Sequence, residues 1–312
     1  MSEEFTANGE GAAKTVPPSS QVNGVPHQAL SGSADVSEDP VKTTALLNGS
    51  LSAPRRSAAK KPPRATVSLV IPTKNEARNL AWVLSEVPDD IVDEIVLVDG
   101  DSVDATRLMA LTCRPDIRIV EQTGPGKGTA LRTGFQASTG DIIVMIDADG
   151  SMSAREIPHF LHFLNTDYDF VKGSRFMAGG GSLDITAVRR SGNRALLRLV
   201  NSLYETNLTD LCYGFCAFHR RYLGHLNLTA NGFDIEAQMT IHALQAGLRI
   251  AEVPSLELPR RSGQSNLNAI NDGMLVLRTI LRDHDVGASG YMVQAARRAL
   301  QRNRDAAAAR QS

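Results

Sequence analysis

The chain has 312 residues, with 33 Lys and Arg against 34 Asp and Glu, a formal charge of −1 at pH 7. So even a balance offers no bulk field to recruit nucleic acid or an anionic membrane, which excludes a generic polyanion binder. With 42% hydrophobic and 21% charged residues the composition is ordinary for a globular protein, and no apolar run reaches the roughly 18 residues of a membrane span. Three cysteines cannot build a disulfide framework, and the acidic opening MSEEFTANGE leads into no apolar stretch, so a cytosolic, reducing setting is expected.

Residues 1–65 are rich in Ser, Ala and Pro without apolar periodicity, and are expected to be a disordered extension that ends in a basic stretch around Pro62 and Pro63. From Val67 the pattern changes. The runs VSLVI, EIVLV, IRIV and DIIVMI alternate with amphipathic stretches of helical length, which predicts an α/β fold with a mainly parallel central sheet and helices on both faces. The continuous apolar character of these runs implies burial on both sides. Beyond Asp169 come a Gly-rich loop (Ala178 to Ser182), a helix from about Thr186 to Glu205, a Cys- and aromatic-containing strand, a helix near Phe233 to Gly247 and a strand RIAEV. A final amphipathic helix runs from Leu267 to about Asp283, its apolar stripe Ile270, Met274, Leu277 and Leu281 closing the core. The ordered domain is thus expected at 66–283, followed by an Ala- and Arg-rich tail at 284–312.

In such sheets ligands sit at the carboxyl ends of the strands. The fourth run ends IDADG, where Asp147 and Asp149, one residue apart, can converge on one hard cation, Mg2+ or Mn2+, with diphosphate oxygens and water as its other ligands. A polar strand-end turn is the plainer reading of the pair taken alone. The first run ends IPTKNE, with Pro72, Asn75 and Glu76, and the second ends VDGDSVDAT, where Asp99 can hydrogen-bond a base or ribose and Asp104 reads as a helix cap. The stretch TGPGKGT is not a nucleoside-triphosphate loop, because Lys127 is followed by Gly and the position five before Gly126 is Glu121. Cys212, Cys216 and His219 lack a fourth ligand at zinc spacing and read as core.

In order, IPTKNE, VDGDSVDAT, GPGKGTALRTGF, DADG, FVKGSRF, DLCYGF, GFDIEAQM and EVPSLELPRRSGQS resemble the family 2 glycosyltransferases of the GT-A fold, over about Val67 to Asp283. The later pieces are most similar to the polyprenyl-phosphate mannose and glucose synthases. The resemblance implies a nucleoside pocket at Pro72, Glu76 and Asp99, and a metal pair at Asp147 and Asp149 that holds the sugar diphosphate. It also implies a Gly-Lys-Gly element, Lys127 and Gly128, beside that pocket. Arg175, one of Arg189 and Arg190 (Arg190 being assigned to the donor) and Arg260 match residues that meet donor or acceptor phosphates. Two departures stand out: Ser151, a shorter metal ligand, stands where the family has a Gln that adds a metal contact, and Asn266 replaces a cation.

The activity this implies is inverting hexosyl transfer from a UDP-glucose or GDP-mannose type donor to a polyprenyl-phosphate-like acceptor, with peripheral contact at the inner face of a membrane. A saccharide or small-molecule hydroxyl is the alternative acceptor. It would need a base, for which Asp210, Asp234 and Glu236 are the candidates. A sugar nucleotidyltransferase and a non-catalytic nucleotide-sugar-binding protein are the readings from other classes. The intact acid pair disfavours the sensor.

Overall fold

The structure is a computed structural model that describes residues 64–265 and 267–284. The rest of the expected leader, the tail from residue 285 and Asn266 lie outside the described residues. Seven strands form one sheet in the order β3-β2-β1-β4-β7-β5-β8. They are β1 (Val67–Thr73), β2 (Glu94–Asp99), β3 (Arg118–Glu121), β4 (Ile142–Met145), β5 (Phe170–Ser174), β7 (Cys216–His219) and β8 (Ile250–Pro254). A short parallel pair, β6 (Gly181–Ser182) with β9 (Leu256–Glu257), stands apart. β1 pairs in parallel with β2 and β4, and β5 with β8, while β7 runs antiparallel between β4 and β5.

The β-branched runs are strands because both of their faces are covered. Leu69, Ile71, Leu97 and Val144 pack on one face under α1 (Ala77–Ser85), α2 (Thr106–Cys113) and α4 (Ile157–Leu164). Val70, Val96, Val98 and Ile143 pack on the other under α3 (Lys127–Ala137), α6 (Leu223–Leu226) and α7 (Ile235–Gln245). Adjacent residues thus enter different cores, as the twofold strand repeat requires. The exception is β3, an edge strand that the continuous-burial expectation misjudged: Arg118 and Glu121 are exposed and Ile119 and Val120 half-buried.

A third core joins α5 (Ala187–Tyr204) and α7 to a last helix, α8, at residues 269–284. Thr186 caps α5, its Oγ1 accepting the Arg189 N–H at 3.3 Å, and Glu205 ends it in the left-handed region at φ 50°. In α8 the expected inward stripe is overturned. Val276, Thr279, Ile280 and Asp283 are buried, while Ile270, Met274 and Leu281 are exposed. Polar anchors fix this rotation: Thr279 Oγ1 donates to Asp234 Oδ2 at 2.7 Å, and Asp283 Oδ2 accepts from Gln238 Nε2 at 2.9 Å and lies 3.0 Å from His242 Nε2. Buried polar groups need partners more than exposed apolar ones need cover.

Candidate active site

The chain order around β1 reverses between β2 and β4, so the crevice expected at such a switch point lies beside the carboxyl ends of these strands. Pro72, Asp99 and the segment carrying Asp147 and Asp149 leave the sheet there together. Because β7 runs the opposite way, its entry, Gly214 and Phe215, arrives at the same edge.

Asp147 keeps 25% of its side chain exposed. Lys127 opens α3 and places Nζ 2.6 Å from Asp147 Oδ1 and 2.6 Å from Glu236 Oε1. Arg260 plays the matching part on the second acid, 3.1 Å from Asp149 Oδ2 and 2.6 Å from Glu76 Oε1. Asp149 Oδ1 accepts the Ser151 N–H at 2.9 Å across Gly150, whose φ of 78° suits glycine. Ser151 is buried at this turn. Burial pushes the Asp147 carboxyl up, Asp149 and Glu236 add to the rise and Lys127 opposes it, leaving it at about 6. Burial works to lower the Lys127 ammonium, but the carboxylates of Asp147 and Glu236 outweigh it and hold the group above the ordinary lysine range.

The Gly-Lys-Gly element has a steric reason. The Gly128 N–H donates to Asn231 O at 2.9 Å. A Cβ at Gly128 would collide with the Ala230 carbonyl, and one at Gly126 with that of Asn231. Only glycines let α3 start this close to the 230–232 loop, which delivers Lys127 to the acids. Sequence reasoning missed Gly214. A Cβ there would lie 3.1 Å from both Asp147 Oδ2 and Glu236 Oε1 and 3.2 Å from Lys127 Nζ. Its signal was a glycine between Tyr213 and Phe215 at the head of an apolar run.

Asp99 is buried; its Oδ2 accepts the Ser102 N–H at 3.4 Å, and its Oδ1 has no partner among the described residues. A buried acceptor left open suits a ligand's donor. Asp104, read as a helix cap, stands one residue before the α2 N-cap Ala105; its Oδ1 accepts the Thr106 N–H at 3.0 Å and its Oδ2 the Ala77 N–H at 3.2 Å, tying the starts of α2 and α1 together.

Other candidates stand elsewhere or are otherwise engaged. Arg175 is buried, with Nε 2.7 Å and Nη2 3.0 Å from the two Asp210 oxygens, Nη1 3.1 Å from Glu257 Oε1, and Nη2 donating to Cys212 O at 2.9 Å. Its donors are thus engaged with Asp210, Glu257 and Cys212, and Arg175 also lines the groove between α5 and α8 described below. Asp210 is fully buried against it. Burial pushes the Asp210 carboxyl up, but the hydrogen bonds and charge of Arg175, with Lys172, more than offset this and hold it below the usual range. Asp234 is buried and bonded to Thr279. Arg190 is exposed, its guanidinium 5.9 Å from the centre of the Phe176 ring, whereas Arg189 faces the protein, 3.6 Å from Asp184 and 4.0 Å from Glu257. Burial pushes the Cys212 thiol up to about 12, an inert group at neutral pH.

A groove opens between α5 and α8, walled by Ile185, Val188, Leu196 and Val276. Arg175, Arg189 and Glu236 also line it. Glu236 therefore belongs both to this groove and, through Lys127, to the acid pair.

Two neighbouring carboxylates are hard ligands that fit Mg2+ or Mn2+. Among the described residues no group of three or more His, Cys, Asp and Glu could by itself hold a metal ion, so further ligands would have to come from donor oxygens and water.

The sequence profile of glycosyl transferase family 2 matches residues 68–226. Glycosyltransferase AglJ of Haloferax volcanii is 32% identical over 220 residues, 69% of this chain and 71% of that protein. An undecaprenyl-phosphate mannosyltransferase of Micrococcus luteus is 30% identical over 65% of this chain and 87% of its own length. In fold, the chain is similar to the crystal structure of glucosyl-3-phosphoglycerate synthase from Mycobacterium tuberculosis in complex with Mn2+, UDP and glucosyl-3-phosphoglycerate. The TM-score is 0.57 at 24% identity, with 70% of this chain and 79% of that one covered. The mainly parallel sheet, the acid pair at its switch point and these likenesses agree that the chain belongs to the family 2 glycosyltransferases, with the GT-A fold.

Proposed function

We propose that the protein transfers a hexose from a nucleotide diphospho-sugar of the UDP-glucose or GDP-mannose type to a phosphate carried on a polyprenyl-like chain, with inversion at the anomeric carbon. The observation that carries this reading is the groove between α5 and α8: apolar walls, the Arg189 guanidinium in its lining, and Glu236 in the same lining, linked through Lys127 to Asp147. Apolar walls suit isoprene units, and the Arg189 fork suits phosphate. The naming of similar proteins as an undecaprenyl-phosphate mannosyltransferase and a dolichyl-phosphate hexose transferase supports it.

In this proposal Asp99 accepts a hydrogen bond from the donor's base or ribose. Asp147 and Asp149 hold Mg2+ or Mn2+, which when bound supplies Lewis-acid stabilisation to the departing diphosphate. Lys127 and Arg260 hold the two acids oriented before the donor arrives. The acceptor phosphate, with a second pKa of about 6, is already largely anionic at neutral pH and needs no protein base. A hydroxyl acceptor would need one, and Glu236, which lines the groove, is the candidate we favour.

The test is a donor and acceptor screen with product mass analysis. Labelled UDP-glucose and GDP-mannose are incubated with Mn2+ and either a polyprenyl phosphate or simple sugars. Label in the organic phase, lost on chelation, is expected. Label only in a water-soluble glycoside transfers the reading to the hydroxyl acceptor.

A further inference from the structure

The even overall charge conceals a strong segregation. Helix α5, AVRRSGNRALLRLVNSLY, carries four arginines and no acid over 18 residues. Of these, Arg190, Arg194 and Arg198 are exposed, and none is ion-paired among the described residues. On α8, the other wall of the groove, Ile270, Met274 and Leu281 are 71%, 49% and 50% exposed. They fall on one stripe at helical spacing, with half-buried Leu277 among them and exposed Arg278 and Arg282 beside it. Val188, 63% exposed, lies at the mouth of the groove, since it is also one of its walls.

An outward apolar stripe edged by arginines is unusual on a water-facing helix whose inner face is already packed. The partner it fits has an apolar layer beneath anionic groups. We propose that α5 and α8 form a docking surface for an anionic lipid bilayer. The α8 stripe enters the headgroup and acyl boundary, the arginines meet lipid phosphates, and the groove mouth opens onto the membrane. Long side chains suit this, because arginine stems lie along apolar surface while their heads stay with the phosphates. No helix among the described residues is long and apolar enough to cross a membrane, so this contact is peripheral. The proposal deepens the lipid-phosphate reading and rests on it for the purpose of docking, though not for the binding itself.

Co-sedimentation of the full chain with phosphatidylcholine vesicles, with and without phosphatidylglycerol, tests it in the absence of donor and acceptor. Binding is expected only to the phosphatidylglycerol vesicles and should weaken as salt rises. The triple variant Arg194→Gln/Arg198→Gln/Arg278→Gln should bind roughly 100-fold more weakly, at about fivefold per arginine. Ile270→Ser/Met274→Ser/Leu281→Ser should also lose binding. Both variants should keep transfer to a short, water-soluble prenyl phosphate, which separates a failure of docking from a failure of the acceptor reading. Binding by either variant equal to that of the unaltered protein overturns the proposal. So does a stripe variant that shifts from dimer to monomer in size-exclusion chromatography with vesicle binding intact, since a second copy would then be what covers the stripe.

Discussion

Lys127 Nζ stands 2.6 Å from Asp147 Oδ1 and equally close to Glu236 Oε1, so one ammonium joins the strand-end acid to the helix that borders the groove between α5 and α8. Asp147, Asp149 and Glu236 would otherwise be like charges crowded at one rim, and Lys127 and Arg260 together neutralise much of that repulsion. The two cations give the apo site a preformed geometry. Any divalent ion that binds the acids must share or take over these contacts.

Removing Lys127 should therefore couple stability to pH. In Lys127→Met the Asp147 carboxyl loses its main source of lowering and should rise above its present value of about 6. A raised carboxyl favours the folded state only in its protonated form. The variant should thus be less stable than the parent at pH 8 by about 1–3 kcal/mol and recover part of that deficit near pH 5. Urea melts at the two pH values check this. An equal deficit at both would show that Lys127 does not govern the charge of Asp147.

Asp149→Asn should lower turnover by about 100-fold or more, the scale of losing one preorganised electrostatic contact to a developing charge. The thermal melt should stay close to that of the parent, because Asn has the same shape and keeps an oxygen to accept the Ser151 N–H. Product formation across a Mn2+ titration is the measurement. Full turnover would remove Asp149 from the proposed metal pair.

Asp99→Ala separates binding from folding. The substitution removes one buried oxygen with no partner among the described residues and one long, 3.4 Å hydrogen bond from the Ser102 N–H, so stability should change little. Donor affinity should fall about 10- to 100-fold, the worth of a hydrogen bond to a charged group. Calorimetric titration with UDP and GDP, beside a melt, reads both quantities.

Gly214→Ala probes the crowding at the head of β7. The added methyl would lie 3.1 Å from two carboxylate oxygens, which must give way by a few tenths of an ångström. Turnover should drop by about tenfold, since small misplacements of reacting groups are costly. Donor binding at Asp99 should change little. Steady-state kinetics with donor varied distinguishes the two.

The Arg175–Asp210 pair should govern acid stability. Asp210 is held below its ordinary pKa, so its contribution is present above the unfolded value, about 3.9, and is lost as pH falls through the lower folded value. Asp210→Asn should cost about 3–5 kcal/mol at pH 7 by leaving a buried guanidinium without its main counter-charge. That deficit should shrink below pH 4. Denaturant midpoints measured from pH 7 to pH 3 check it.

Much of this molecule was determined along the chain itself. The continuous apolar runs predicted β1, β2 and β4, and the capping residue Thr186 bounded α5 to within a residue, because burial periodicity and end chemistry are local properties. The acids Asp99, Asp147 and Asp149 were legible for the same reason: they follow strands, and parallel strands share an edge. Only the tertiary structure decided what long-range contacts control. It spent Arg175 on Asp210 and Glu257, chose Arg189 over Arg190 for the groove, and brought Gly214 against Asp147 through an antiparallel strand. It also turned the apolar stripe of α8 outward, because buried hydrogen bonds from Thr279 and Asp283 to α7 set the helix's rotation. Hydrophobic spacing gives a helix its stripe, but which face turns inward depends on polar partners distant in sequence, and no local pattern carries that information.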